Sequence, residues 1–249
     1  MGSMNDVDKG FFRLNRYLAM SGAGSRRNVE NLVRSGRVSI NGMAVRDLST
    51  RIRPGDNVCL DGLVVVPKPE VYLVMNKPVG IVCAVKDKYY PTVIDITPAD
   101  AVEAGVFPVG RLDKDSEGLL ILTNDGAFAQ KIIHPEQGIG KTYEVLLEKE
   151  ADQAGIEKLR MGTTIEGKRL IPLNVELVAG EPERRWLSIT LSEGVKREVR
   201  VMAKAAGFRV MRLIRRKIGH LELRKIRSGA IVRISGDELE RMILKGGTV

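Results

Sequence analysis

The sequence predicts an α+β protein in two domains, and three observations carry that expectation. Short helical and short strand patterns alternate along the chain with turn residues between them, and no internal repeat or low-complexity stretch interrupts them. Residues 61–70 hold Pro67-Lys68-Pro69, a stiff linker that sets residues 11–66 apart from residues 71–249. Charge is also unevenly spread. Residues 1–66 carry 10 Lys/Arg against 6 Asp/Glu, residues 67–195 carry 15 against 20, and residues 196–249 carry 15 against 5. With 43% hydrophobic residues over 249 positions, the chain has enough apolar side chain for a real core and for one or two domains.

The net charge of +9 favours a polyanionic partner, nucleic acid ahead of a membrane surface, and the two basic ends are the parts expected to grip it. No apolar run approaches the length of a membrane span and no signal peptide is present, which fits a cytoplasmic protein. Cys59 and Cys83 are too few for a disulfide framework and have no metal-type spacing. Met1-Gly2-Ser3 reads as a scar of expression, with Met4 the native start.

In the first domain, Leu14–Met20 reads as a short helix with Leu14, Tyr17 and Leu18 on one face, broken by Gly22 and Gly24. Ser25 is a good N-cap for a second helix through Arg34, which Gly36 stops. Val38-Ser39-Ile40 and Met43-Ala44-Val45 flank Asn41-Gly42, the strongest short hairpin signal. Arg53-Pro54-Gly55-Asp56 turns the chain again before Val58 and Leu60. Arg13, Arg16, Arg26, Arg27, Arg34 and Arg37 fall in this stretch with no lysine among them. A solvated helical face would account for some of them. Guanidinium also pairs with phosphate bidentately and stacks on exposed bases, so all six are candidate RNA contacts.

In the second domain, Val71–Met75 is a strand feeding a rigid turn, Asn76-Lys77-Pro78-Val79-Gly80. Thr92–Ile96, bracketed by prolines, is apolar but of open type. Gly110 and Gly118 then bracket a polar loop of three acids and two bases, ahead of the apolar run Leu119–Leu122, short enough for a buried strand. Asn124-Asp125-Gly126 reads as a turn capping the helix Ala127–Ile133. Lys141–Leu147 is a strand, Ala151–Arg160 a helix and Trp186–Leu191 a strand. A glycine turn at Gly194 leads to a helix with Val199, Met202, Ala203 and Ala206 inward. Phe208–Gly219 is strand-like, and its Arg212, Arg215 and Arg216 are phosphate contacts or a solvated face. His134 and His220 read as structural, and no metal site is expected. A carboxylate on a loop that leans on a buried strand is a common place for chemistry, which makes Asp113 the candidate; most loop aspartates, though, are solvated or cap a turn.

Gly110-Arg111-Leu112-Asp113, followed by Ser116-Glu117-Gly118-Leu119-Leu120-Ile121-Leu122-Thr123-Asn124-Asp125-Gly126, resembles the signature of bacterial ribosomal RNA pseudouridine synthases of the RsuA/RluB type. The resemblance runs from about Leu14 to about Ile234. It implies a small RNA-binding domain named after ribosomal protein S-four, then a pseudouridine synthase catalytic domain on a mixed, largely antiparallel sheet. It implies that Asp113 is the catalytic aspartate, that Tyr143 packs in the active site, and that Arg200 pairs with the catalytic carboxylate. Leu213 matches an apolar residue lining the uracil pocket; Lys141 takes a supporting role, and Arg111 of the motif is expected to bind substrate. Glu198 stands where Gln is usual and Val201 where a second Arg is usual, which bears on local RNA contacts and substrate choice.

The implied partner is ribosomal RNA or a ribosomal assembly intermediate, and the implied reaction needs no cofactor or metal; nothing in the sequence demands more than a monomer. The implied reaction breaks the N-glycosidic bond of a uridine, turns the uracil and forms a carbon–carbon bond to ribose. The target base must leave its stack, at a cost of a few kcal/mol that the pocket offsets. Tyr143 can stack on the base and Leu213 can wall it in. Asp113 can attack the sugar or the base, or take a ribose proton; Tyr143 or Asp113 can remove the proton on carbon five. Two other readings exist. A non-catalytic RNA-binding assembly factor has no need of Asp113, Tyr143 and Arg200 together, and a hydrolase with an Asp nucleophile has no need of basic ends.

Overall fold

The computed structural model describes residues 12–180, 182–195 and 197–246, with Arg26 and Pro135 described by backbone alone. The first residue of the expected N-terminal domain, the start at Met4 and the last three residues of the expected catalytic domain lie outside the described residues. By packing, the chain divides into a unit ending at Glu70, with Glu103–Gly105, and a second unit of Val71–Val102 and Val106 onward.

In the first unit, β1 (Phe12–Arg13) leads into α1 (Leu14–Met20) and α2 (Arg26–Arg34). The Ser25 side chain caps α2 by accepting the Asn28 N–H. Strands β2 (Val38–Ile40), β3 (Met43–Val45), β4 (Arg51–Ile52), β5 (Val58–Leu60) and β6 (Leu63–Val64) follow. The β2–β3 turn has φ of 51° at Asn41 and 82° at Gly42, the paired positive angles of a tight hairpin turn whose twist matches the strands. The sheet runs β3-β2-β5-β6, and β1 pairs with β4. Leu14, Leu18, Val29, Val33, Val38, Ile52 and Val58 form its core. The helical period sets Arg27 and Arg34 on one stripe of α2, both exposed. Arg37 does not stand free: its guanidinium grips the Asp61 carboxylate through Nε (2.8 Å) and Nη2 (2.5 Å), holding that carboxyl below its usual range.

The second unit is built on one sheet of order β13-β14-β10-β15-β9-β7-β17, with β16 on β15 and β8 on β9. Its strands are β7 (Tyr72–Lys77), β8 (Phe107–Val109), β9 (Glu117–Thr123), β10 (Lys141–Leu147), β13 (Asn174–Leu177), β14 (Trp186–Leu191), β15 (Val210–Ile218), β16 (Leu221–Glu222) and β17 (Ile231–Ile234). A separate ribbon pairs β11 (Thr163–Ile165) with β12 (Lys168–Leu170). The helices are α3 (Ala99–Glu103), α4 (Gly126–Ile133), α5 (Gln153–Met161), α6 (Glu198–Ala205) and α7 (Gly236–Lys245). All pairings within the large sheet are antiparallel except β9 with β15, so the sheet is mixed and largely antiparallel as expected.

Two elements shift from the sequence reading. The strand starting near Val71 continues through Asn76 and Lys77, which pair with Leu119 and Gly118, so the turn begins only at Pro78. The helix read as Ala151–Arg160 starts at Gln153, because the Asp152 carboxylate caps it by accepting the Gly155 N–H at 2.6 Å. β9 is buried from Gly118 to Thr123, which explains its unbroken apolar run: it is covered on both faces.

The parallel junction is short, pairing Ile214 with Glu117 and Arg215 with Gly118. Gly118 has φ of 109°, and a Cβ there would lie 2.4 Å from the Arg215 carbonyl oxygen. Only glycine lets the two backbones approach this closely. Gly118→Ala is therefore expected to destabilise the protein by about 2 kcal/mol or more beyond Gly42→Ala, which faces open space at a similar backbone angle. Urea unfolding of the two variants checks this; equal costs would show that the junction tolerates a side chain.

Candidate active site

A cavity of about 440 Å³ opens in the second unit above the β9–β15 junction. The loop around Asp113 forms one wall, the start of β10 and β15 the floor, and Glu193–Val195 with Arg197–Val199 the far side. Each part is placed by local chemistry. β7 ends in Lys77, whose side chain is fully buried and whose Nζ donates to the carbonyls of Pro78 (2.9 Å), Asp113 (3.2 Å) and Ser116 (2.7 Å). The Ser116 N–H closes the turn on the Asp113 carbonyl at 3.1 Å, and the Gly80 N–H ties in Lys114 through its carbonyl at 2.8 Å. Desolvation lowers the Lys77 pKa, opposed by the nearby Cys83, Asp115, Asp113 and Glu117. Leu112 completes the loop's anchorage by donating its N–H to the Cys83 Sγ at 3.3 Å.

The cavity brings together Asp113, Arg111, Lys141, Tyr143 and Leu213 of the residues singled out in the sequence. Asp113 keeps about a third of its side chain (30%) in contact with solvent. Tyr143 and Leu213 stand on adjacent strands, buried in the same apolar cluster, with a bulge of β10 against β15 just before Tyr143. Arg200 is not brought to Asp113. Its Nη2 reaches the Asp115 carboxylate at 3.2 Å and the Asp115 carbonyl at 3.1 Å, and its Nη1 donates to the Val210 carbonyl. The guanidinium beside Asp113 is that of Arg197, with Nη1 at 3.9 Å from Oδ2; the left-handed backbone at Arg197 (φ 54°) precedes α6.

Arg215 requires a correction of another kind. Read from sequence as a phosphate contact on a basic strand, it is only 4% exposed and lines the cavity instead. Its Nε donates to the Leu119 carbonyl at 2.7 Å, while its Nη2 is buried without a hydrogen-bond partner. A buried guanidinium donor of this kind is a costly feature that an acceptor entering the cavity would relieve. Arg212 and Arg216 do lie on the outer face, where they pair with Glu117 (2.5 and 3.0 Å) and Glu144 (2.6 Å).

Glu198, noted in the sequence only for standing where Gln is usual, proves to be a cavity residue. It is 5% exposed, and its carboxylate accepts the Val195 N–H at 3.1 Å. Burial raises its pKa, the Val195 hydrogen bond works against this, and the neighbouring Glu193 adds to the rise. Across the cavity, burial lowers the Lys141 pKa, the Arg215 charge adds to the effect, and Glu198 opposes it. Among the described residues, no group of three or more His, Cys, Asp or Glu side chains is placed to hold a metal ion. No helix among them is long and apolar enough to cross a membrane.

The chain belongs to the RNA pseudouridylate synthase family, whose model matches residues 71–205, and residues 12–58 match the S4 domain. It is thus an enzyme of uridine isomerisation in RNA, with an S4 RNA-binding domain ahead of the catalytic one. Among its relatives, an RNA pseudouridine synthase of Bacillus subtilis is 37% identical over 85% of this chain and 89% of its own. The ribosomal large subunit pseudouridine synthase B of the same organism is 33% identical over 92% of this chain and 95% of its own. A crystal structure of a pseudouridylate synthase superposes with a TM-score of 0.66 at 27% identity, covering 93% of this chain and all of that one.

Glu198 binds more protons in the folded than in the unfolded state between its ordinary pKa and its raised one. Its burial as a carboxylate is therefore no burden below the ordinary value and grows into one as pH rises through that window. Glu198→Gln keeps an acceptor for the Val195 N–H, so it is expected to stabilise the protein at pH 8 and to leave stability unchanged near pH 4. Urea titrations at the two pH values measure this; a gain of equal size at both would mean that ionisation is not the cause.

Proposed function

We propose that the protein isomerises a specific uridine of ribosomal RNA, with Asp113 as its catalytic carboxylate. The observation that carries the proposal is the joint placement of Asp113, Tyr143 and Leu213 on the walls of one cavity, on a loop clamped from beneath by Lys77. The volume of about 440 Å³ suits a nucleoside taken out of its stack. Ribosomal RNA is favoured by the S4 match and by the large-subunit enzyme among the relatives, which makes large-subunit RNA the first substrate to try. The protein is taken to act as a cytoplasmic monomer on free RNA or on an assembly intermediate.

The reaction balances without a co-reactant. The bond from C1′ to N1 breaks, a bond from C1′ to C5 forms, the C5 proton leaves and N1 gains a proton. Asp113 serves by attack on C1′ or on the base, or by taking a ribose proton. Tyr143 packs on the uracil while it turns, and Leu213 closes the pocket against water. Arg215 offers its unpaired Nη2 to an oxygen acceptor of the bound nucleotide, and the Arg197 guanidinium stands beside the Asp113 carboxylate, 3.9 Å away.

Asp113→Asn is expected to abolish tritium release from ribosomal RNA labelled at carbon five of uracil, by a factor of about 10³ or more, with RNA affinity held within a few-fold. A matching loss of affinity would make Asp113 a binding residue instead. Removal of residues 1–66 is expected to weaken RNA binding and to flatten its dependence on salt, since fewer phosphate contacts release fewer counterions. An unchanged slope of log affinity against log salt would take the RNA contacts away from that unit.

A further inference from the structure

One loop beside the cavity has a surface that the reaction chemistry leaves unused. Val82 and Cys83 line the cavity, and the chain then leaves and returns: the Val82 N–H donates to the Pro91 carbonyl, and the Val93 N–H to the Val82 carbonyl, each at 3.0 Å. With its two ends pinned together, the segment between them is a closed loop. At its tip, Asp87 Oδ1 accepts the N–H groups of Tyr89 (2.9 Å) and Tyr90 (3.0 Å), an Asx-type turn that fixes the backbone of both tyrosines. Their rings point outward, 77% and 48% exposed. All the other described aromatic residues are buried or half-buried. In a chain with 4% aromatics, two adjacent exposed rings contribute nothing to the core.

Cations surround them. The Lys88 Nζ lies 5.3 Å from the centre of the Tyr89 ring, and the Lys114 Nζ lies 3.6 Å from that of Tyr90. Lys86 is exposed on the same loop, and the only acid there, Asp87, is engaged in the turn. Lys114 directly follows Asp113, so Tyr90 sits beside the catalytic loop itself.

We propose that Tyr89 and Tyr90 form a stacking platform for the unpaired bases next to the target uridine, with Lys86, Lys88 and Lys114 meeting the adjoining phosphates. This rests on the RNA reaction assigned above. A uridine drawn into the cavity takes away a stacking partner from its neighbours, and an aromatic face at the rim replaces it. Such stacking is indifferent to base identity, because each base presents a π face, and the lysines supply the charge that follows the backbone. The loop therefore holds the strand beside the extruded base, and sequence choice falls to other parts of the enzyme.

The test uses the whole protein and a fluorescein-labelled single-stranded fragment of large-subunit ribosomal RNA, with anisotropy read across a salt series and tritium release followed on the same RNA. Replacing both tyrosines by Ala is expected to weaken binding about ten-fold or more, with the salt slope unchanged. Replacing both by Phe keeps the rings and is expected to restore wild-type affinity. Lys86→Ala with Lys88→Ala is expected to reduce the salt slope by about 1.4. The platform is overturned if the Ala pair binds within two-fold of wild type, or if the Phe pair is as weak as the Ala pair, since the loop would then act through its fold. A lysine pair that leaves the slope unchanged removes the phosphate contacts and with them this form of the platform. Wild type that binds the RNA without releasing tritium would sink the assigned reaction while the Ala and Phe pairs still judge the platform; wild type that binds none of the RNA would overturn both.

Discussion

The ammonium group of Lys77 is the constraint on which the site depends. It sits at the end of β7 with no solvent contact and, among the described residues, no carboxylate at bonding distance, and its three protons go to three backbone carbonyls. Two of those carbonyls belong to the loop that carries Asp113. A loop rich in charge would otherwise be held by its ends and by the Gly80, Cys83 and Arg200 contacts at its rim. Here it is drawn onto the sheet from inside, and the carboxylate faces the cavity as a consequence of where β7 stops. The arrangement is costly, since burial opposes the lysine's charge. The nearby carboxylates of Asp113, Asp115 and Glu117 offset part of that cost, so the loop's acidity and the buried base support each other.

The second constraint is the parallel contact between β9 and β15. It joins two antiparallel halves of the sheet into one, and it does so through a glycine pressed against the Arg215 backbone. Arg215, on the same strand, donates its Nε to the Leu119 carbonyl, while its Nη2 stays buried without a partner in a residue that lines the cavity. Tyr143 and Leu213 are brought in by the neighbouring β10–β15 pairing. Loop, floor and walls thus come from separate stretches of chain that meet only in the finished sheet.

Local rules made the scaffold readable in the sequence. Asn41-Gly42 specified its turn, Ser25 its helix start, and the spans Leu14–Met20, Lys141–Leu147 and Trp186–Leu191 match the observed elements. Asp125 caps α4 by accepting the N–H groups of Ala127 and Phe128, as its position before an apolar run suggested. Long-range pairing decided what was missed. Arg215 looks like its neighbours Arg212 and Arg216 until the β9 contact buries it, and Lys77 looks like part of a turn until Gly118 pairs with it. Arg200 was expected at Asp113 on family pattern, but α6 presents it to Asp115, with the αL turn at Arg197 placing that residue closer. One signal was legible and went unused: Ser235-Gly236-Asp237-Glu238 has the spacing of a helix start, and Ser235 indeed caps α7. Glu198 stood out only for replacing the usual Gln, and one acid at a helix start reveals nothing of burial.

The parallel junction also bears on when the enzyme comes into being. Leu119 and Arg215 lie 96 positions apart in the chain, yet one bonds to the other under the cavity. During synthesis, β7, the Asp113 loop and β9 emerge long before β15 exists, and a loop closure of that length is a late and slow event. Until then Asp113 has no floor beneath it, and neither the Leu213 wall nor the Arg215 donor is present. A nascent chain on a translating ribosome therefore holds the Asp113 loop but not yet the finished cavity around it. The cavity is complete only when β15, near the end of the chain, slots beside β9.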